Sequence, residues 1–273
     1  EIMHAVCYDL PEIFYHSGYS ANYSYTSSGY VTKVVYNVSM YSNVSYSAST
    51  VASCYNQMMS KIDGISLDTS NRYNFVKSLH DYLCNNIIYP DLNSSLYISD
   101  CHDSYGALVK GYAVCQGYAE SFKLICNLYN IPCVYISGTA NGGGHGWNAV
   151  QMDDGKWYFI DATWDDQETY LFYDFFLCGL NSTPTHFSGG AFSSSHVPDS
   201  DLFLPNLNYG SEFYSQTNHN TRFDATYNAS PDYSGKYLYL SVFDAGKSNV
   251  YYNGIYVPVN SFSNNESFSV PSG

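Results

Sequence analysis

Apolar side chains recur every three or four positions in two early stretches, and each recurrence predicts a helix. In "TVASCYNQMMSKI" (50–62) the repeating positions are Val51, Cys54, Met58 and Ile62. In "NRYNFVKSLHDYLCNNIIYP" (71–90) they are Tyr73, Val76, Leu79, Leu83 and Ile87, with Ser70 as N-cap and Pro90 as the stop. His80 lies inside this helix and reads as a packed residue rather than a catalytic one. A third helix runs from Cys115 to about Asn130, entered through "SYGALVKGYAV". Period-two alternation marks "VTKVVYNVSMY" (31–41) as a strand, and "IPCVYISGTA", opened by Pro132, reads as a buried one. "NGGGHGWNAVQM" (141–152) reads as a glycine-rich loop feeding a strand. "GKWYFIDATWDD" (155–166) is a further strand, closing on Asp161. Asp154–Gly155 between the last two runs is a two-residue hairpin signal, so the strands carrying His145 and Asp161 should pair antiparallel.

Beyond residue 206 the text turns to short strands: "KYLYLSVFD", "SNVYYNG", "IYVPVNSF" and "ESFSV". Turn signals at Asp244–Gly246 and Asn253–Gly254 separate them, which predicts a small all-β module. The expected organisation is a Tyr/Ser-rich N-terminal region (1–62), a catalytic core (63–205) and a β-rich C-terminal module (206–273).

Composition narrows the function. Only 12% of the 273 residues are charged while 31 are tyrosine, so the surface must be built from Tyr, Ser and Asn. A net charge of −14 repels phosphate backbones, which argues against nucleic acid as a partner. No apolar run approaches the roughly 18 residues of a membrane span. Few charges and an acidic balance suggest an exported bacterial protein, outside the cell or on its surface. The eight cysteines include no CxxC pair, so neither a zinc ribbon nor a thioredoxin motif is indicated. "DCHD" (100–103) reads as a polar loop rather than as metal ligands.

Chemistry enters with "GYAVCQGYAESFKL" (111–124), which puts Cys115 where a helix begins. The partial positive charge of a helix N-terminus favours a thiolate. Thiol catalysis also needs an imidazole to move the proton and a carboxylate to orient that imidazole. Cys115, His145 and Asp161 supply the three in order. The hairpin brings the start of one strand beside the end of the other, and so His145 beside Asp161.

These residues carry a resemblance. "GYAVCQGYAESFKLICNLYNIPCVYISG", "GGHGWNAVQMDDGKWYFIDATWDD", "FFLCG" and "THF" resemble the transglutaminase-like superfamily of papain-type thiol enzymes, in its bacterial versions, over about residues 70–187. The resemblance implies an α+β fold in which a Cys-bearing helix packs on an antiparallel sheet. It implies Cys115 as nucleophile, His145 as base and acid, and Asp161 as orienter. Gly146 departs from the alanine that the family often shows there; both are small, so no loss of activity is expected. Papain-like enzymes often place a glutamine donor six residues before the cysteine, where this chain has Val109. Tyr105 is a candidate substitute through its hydroxyl. The backbone N–H groups of Cys115 and Gln116 are the natural oxyanion-hole candidates, while Trp147 and Trp164 read equally as walls of the site or as plain core packing. Animal members use calcium, but the chain has no DxDxDG loop, so neither a metal nor an organic cofactor is expected.

The function expected is thiol-dependent acyl transfer on amide bonds through a Cys115 thioester, chiefly hydrolysis of peptide or cell-surface amides. The alternatives are glutamine–lysine cross-linking and an inert surface-binding protein whose tyrosine-rich flanks grip glycan or polypeptide.

Overall fold

The computed structural model describes residues 8–14, 16–28, 31–40, 48–91, 93–95, 99–167, 170–199, 207–215, 237–243, 250–258 and 267–269. In chain order the strands are β1 (His16–Tyr25), β2 (Val31–Met40), β3 (Cys133–Ala140), β4 (Gly143–Gln151), β5 (Trp157–Ile160) and β6 (Asp166–Gln167). They continue with β7 (Tyr170–Leu171), β8 (Phe176–Cys178), β9 (His196–Pro198), β10 (Tyr237–Phe243), β11 (Val250–Pro258) and β12 (Ser267–Ser269). The helices are α1 (Ala48–Asp63), α2 (Arg72–Asn86), α3 (Cys115–Leu128), α4 (Ala162–Asp165) and α5 (Phe192–Ser195). Among the described residues no helix is long and apolar enough to cross a membrane.

The described residues group into two compact units. One gathers the described residues of 8–14 and 52–215; the other gathers those of 16–51 and 237–269. In the second unit β1, β2 and β12 form one antiparallel sheet, with Ser267 opposite Val35, and β10 pairs with β11. Pairing between strands more than two hundred residues apart leaves no trace in local patterning. The turn expected at Asn253–Gly254 lies inside β11, where the register slips by one residue as at a bulge. The turn expected at 244–246 lies outside the described residues.

The first unit is α+β. Its five-stranded sheet has the order β8-β5-β4-β3-β9, with every neighbour antiparallel. One face buries Ile136, Trp147, Ala149, Phe159, Phe175 and Phe192. The other carries α3, the cysteine-bearing helix, which is buried nearly all round: Tyr118, Phe122, Leu124, Ile125 and Leu128 are buried, and so are Glu120, Ser121 and Lys123. Polar clamps fix that packing. Asn148 Nδ2 donates to the Ala119 carbonyl at 3.0 Å, and Lys123 Nζ donates to the Cys133 carbonyl at 2.9 Å.

Local details differ from the sequence reading in three places. The glycine-rich stretch is not a loop, because β4 already begins at Gly143. The true β3–β4 turn is Asn141–Gly142, both at positive φ (49° and 80°), as a tight hairpin requires. Asp154–Gly155 lies in a longer connection, Asp153–Gly155 inside a Met152–Lys156 pair, with Gly155 at φ 75°. The antiparallel β4–β5 pairing that it signalled is present. Finally, α2 is capped by Asn71, whose side chain accepts from the Asn74 N–H at 2.8 Å, and it ends at Asn86. Ile87 is already extended, and Ile88 pairs with Gly111 and Ala113, ahead of the residue that Pro90 restricts.

Candidate active site

Cys115 opens α3 after Val114, an extended residue with no side-chain cap, so the first-turn amides of α3 have no partner within the helix. The bend before it is held by the Val114 N–H donating to the Cys101 carbonyl at 2.8 Å. Gly117 lets that segment lie close. A Cβ at 117 would stand 2.8 Å from the Ala113 Cβ, 2.9 Å from the Cys101 carbonyl oxygen and 3.0 Å from that of Asp103.

His145 lies near the start of β4, and Asp161 follows β5 as the N-cap of α4. The structure brings them together: His145 Nε2 donates to Asp161 Oδ2 at 2.6 Å. With Nε2 committed there, Nδ1 is the ring nitrogen available to the Cys115 thiol. Burial lowers the His145 pKa, but the Asp161 carboxylate and the Cys115 sulfur outweigh it and push the value up to about 10. Burial raises that of Asp161, but His145 and His196 outweigh it and hold the carboxyl well below the usual range. The pair is therefore imidazolium and carboxylate at neutral pH.

Asp161 is 1% exposed, yet its oxygens are fully engaged. Oδ1 accepts from the backbone N–H groups of Thr163 and Trp164, at 3.1 and 3.2 Å. Oδ2 accepts from His145 and also from His196 Nε2, at 3.1 Å. His196 is a site residue that the sequence reading missed. It lies in a short strand, β9, with no local pattern, and reaches the site only because β9 adds to the edge of β3. Its ring is stacked on Phe192 at 4.1 Å. His145, Asp161 and His196 put their ligating atoms within 4.8 Å of one another, a set chemically able to hold a metal. The 2.6 and 3.1 Å separations are those of direct hydrogen bonds, and metal–ligand bonds of about 2 Å would need the trio to spread.

Aromatic rings surround His145. The Trp147 ring lies 6.0 Å from that of His145, and the Trp164 ring lies 5.5 Å from His145 and 4.7 Å from His196. Trp147 and His196 also line an apolar cavity of about 360 Å³ with Phe159, Phe192, Val197 and Leu207. The Gln116 side chain is turned to Glu120, donating from Nε2 to Oε1 at 2.8 Å, which leaves its backbone N–H as its contribution to the site. Tyr105 is buried, with its ring stacked on Phe14 at 5.3 Å and the Lys110 ammonium over it. A different tyrosine reaches the site. A Cβ on Gly146 would lie 2.4 Å from the Tyr135 hydroxyl oxygen, so even the methyl of alanine would collide with it.

Beneath α4 lies a second buried ionic group, also unread in the sequence. His80 on α2 places Nε2 3.1 Å from Asp165 Oδ2 and Nδ1 3.2 Å from Asp81 Oδ1. Asp165 Oδ1 accepts from the Phe175 N–H at 3.0 Å, and the Asp165 N–H donates to the Asp161 carbonyl at 3.2 Å. The charge pair thus pins the short helix whose cap is Asp161.

The same region of the chain is similar to known proteins. The family model described as Transglutaminase-like superfamily matches residues 60–162, which hold all three of Cys115, His145 and Asp161. Kyphoscoliosis peptidase from Homo sapiens is 28% identical over 134 residues, 37% of this chain and 19% of that protein. The Mus musculus protein of the same name is 29% identical over 105 residues, 31% of this chain and 14% of that protein. The chain thus spans less than a fifth of the length of these curated relatives. Among solved structures, a crystal structure of a TGase aligns over 48% of this chain and 36% of that one, at 20% identity and a TM-score of 0.38.

Proposed function

Starting from a transglutaminase-like core at residues 60–162, we propose that the chain is a thiol-dependent acyl-transfer enzyme acting on amide bonds, and that its reaction is hydrolysis. The observation that carries this reading is the His145–Asp161 contact at 2.6 Å, with the same imidazole in interaction with Cys115 at the start of α3.

In the reaction, Cys115 Sγ attacks the amide carbon and the carbonyl π pair moves onto oxygen. Collapse of that intermediate breaks the C–N bond, and the departing amine takes its proton from His145. A thioester remains on Cys115. Water then attacks it, His145 accepts the proton, and the acid leaves as the thiol is restored. Asp161 holds the imidazole in orientation and stabilises its cation throughout. First-turn amides of α3, those of Cys115 and Gln116, face the developing oxyanion. Water suffices as acceptor, and among the described residues no feature marks an amine-acceptor site. The relatives named peptidases favour the same side of the choice. The substrate class is a polypeptide or a peptide-bearing cell-surface polymer, in keeping with an exported protein.

The test is acylation by an activated ester, p-nitrophenyl acetate, followed by mass spectrometry of Cys115 and a competition between water and a labelled amine. Acyl transfer predicts acetyl–Cys115 in the wild type and at least about a 10³-fold loss in Cys115→Ala. Incorporation of amine outpacing hydrolysis would favour cross-linking instead. Absence of the acyl-enzyme would leave the inert surface-binding reading.

A further inference from the structure

We propose that the Tyr135 hydroxyl is a catalytic donor of this reaction, hydrogen-bonding the substrate carbonyl oxygen as it becomes an oxyanion on attack by Cys115. The inference rests on the acyl-transfer reading above and names a residue of that same site.

Tyr135 lies on β3 directly opposite Asn148 on β4. Residues directly opposite in an antiparallel pair share a face, and Asn148 bonds the backbone of α3, so Tyr135 is on the face covered by the cysteine helix. Gly146 is two residues before Asn148 and therefore on that face too. The Tyr135 oxygen occupies the space that a side chain at 146 would fill, 2.4 Å from an ideal Cβ, with Cζ at 3.0 Å. That places a hydroxyl against the backbone of the residue that immediately follows His145.

The ring is held rigidly. Tyr135 is 5% exposed, and it stacks on Tyr8 at 4.1 Å between centroids and 24° between planes. Its hydroxyl makes no hydrogen bond to a described residue. Among the described residues it is not one of the buried polar atoms left without a partner, so it stays open to solvent or to a ligand. Burial, followed by Tyr8, Glu120, Cys115 and Asp199, pushes the phenol's pKa well above its ordinary value, so it stays protonated and can donate. Cys115 stands among those groups, which puts the sulfur and the hydroxyl within interaction range of each other.

The electron and proton balance is simple. Attack forms the S–C bond and shifts the C=O π pair onto oxygen; Tyr135 donates a hydrogen bond there and keeps its proton. Collapse returns the pair and breaks the C–N bond, with His145 supplying the proton of the leaving amine. A preorganised donor aimed at developing charge acts only in the transition state, so it raises kcat rather than lowering KM.

Two reagents separate this role from a structural one. Acylation of Cys115 by p-nitrophenyl acetate passes through an oxyanion; alkylation by iodoacetamide does not. Both rates are to be measured at pH 7 in the wild type, Tyr135→Phe, Gly146→Ala and the double variant. Tyr135→Phe should acylate about 10²-fold more slowly or worse while alkylation keeps its wild-type rate. Gly146→Ala, which displaces the hydroxyl without removing it, should slow acylation in the same sense. The double variant should be no slower than Tyr135→Phe alone, since both changes act on one group. Wild-type acylation in Tyr135→Phe overturns the inference, as does an equal loss of both reactivities. A wild type that alkylates but does not acylate overturns the acyl-transfer reading itself.

Discussion

His196 Nε2 lies 3.1 Å from Asp161 Oδ2, the same carboxylate oxygen that holds His145 at 2.6 Å. Two imidazoles thus converge on one oxygen, and the second fixes the carboxylate that orients the first. His196 is in turn fixed by Ser195 Oγ, 2.8 Å from its Nδ1, and by the ring of Phe192. In the proposed reaction its role is that of a positioning residue. Replacing it by Phe keeps the stacking and removes a hydrogen bond to a charged group, worth about 1.5–3 kcal/mol. Acylation of Cys115 should fall about 10- to 100-fold, the kinetic equivalent of that energy, while Asn, which retains a donor, should recover part of the loss. Equal rates in His196→Phe and wild type would show that the Asp161–His145 pair needs no support.

The same pair sets a pH window for stability. A histidine raised to about 10 stabilises the fold fully below its ordinary value of 6.5 and loses that contribution as pH climbs through about 10. A depressed aspartate stabilises above its ordinary value of 3.8 and loses that contribution as pH falls. The pair's contribution is thus complete between about pH 4 and 6.5 and fades on either side. The melting temperature of the wild type minus that of His145→Gln should be largest in that window and shrink steadily toward pH 10. A difference that stays flat from pH 5 to 10 would count against the ion pair.

His80 and Asp165 make a prediction about the support of α4. Both are fully buried, and burial raises the Asp165 carboxyl to about 6 against the opposing pull of His80. His80→Leu leaves that carboxylate without its cation and should cost about 3–5 kcal/mol in a urea titration. The double change His80→Leu with Asp165→Leu should restore part of that loss, because an apolar pair carries no desolvation cost. If the double variant is no more stable than the single, the loss belongs to packing and not to charge.

Gly117 tests how the cysteine is presented. Its missing side chain admits the carbonyls of Cys101 and Asp103, and Ala113, to within about 3 Å of where a Cβ would stand. Gly117→Ala should destabilise by about 1–3 kcal/mol, the scale of overpacking, despite alanine's better helix propensity. Iodoacetamide labelling of Cys115 should change with it, because the clash lies within one turn of the sulfur. A stabilised Gly117→Ala would show that the 101–103 segment gives way freely.

The candidate triad was legible because each of its parts has a local signature. A cysteine preceding the apolar rows of a helix, a histidine entering an alternating run and an aspartate closing the next one were visible as text. The antiparallel pairing that unites the last two was signalled by Asp154–Gly155, although the turn is longer than two residues. The fold class came with the family resemblance that the same stretches carry. Less legible was the glycine-rich stretch at 141–146. There the absence of side chains looked like a loop, while Asn141–Gly142 supplies the turn and Gly146 makes room for another strand's tyrosine.

The sequence by itself determined which residues could act as nucleophile, proton carrier and orienter, since each is announced by its neighbours within a few positions. Only the tertiary structure decided what surrounds them. His196 reaches Asp161 because β9 pairs with the edge of β3, Tyr135 reaches Gly146 because β3 and β4 are in one register, and His80 reaches Asp165 across 85 residues of chain. β12 likewise completes the sheet of β1 and β2 from the opposite end of the chain. The physical reason is common to all four. Periodicity reports which face of an element is apolar, whereas the choice of partner is made by burial and hydrogen-bond satisfaction among elements that sequence separation keeps apart.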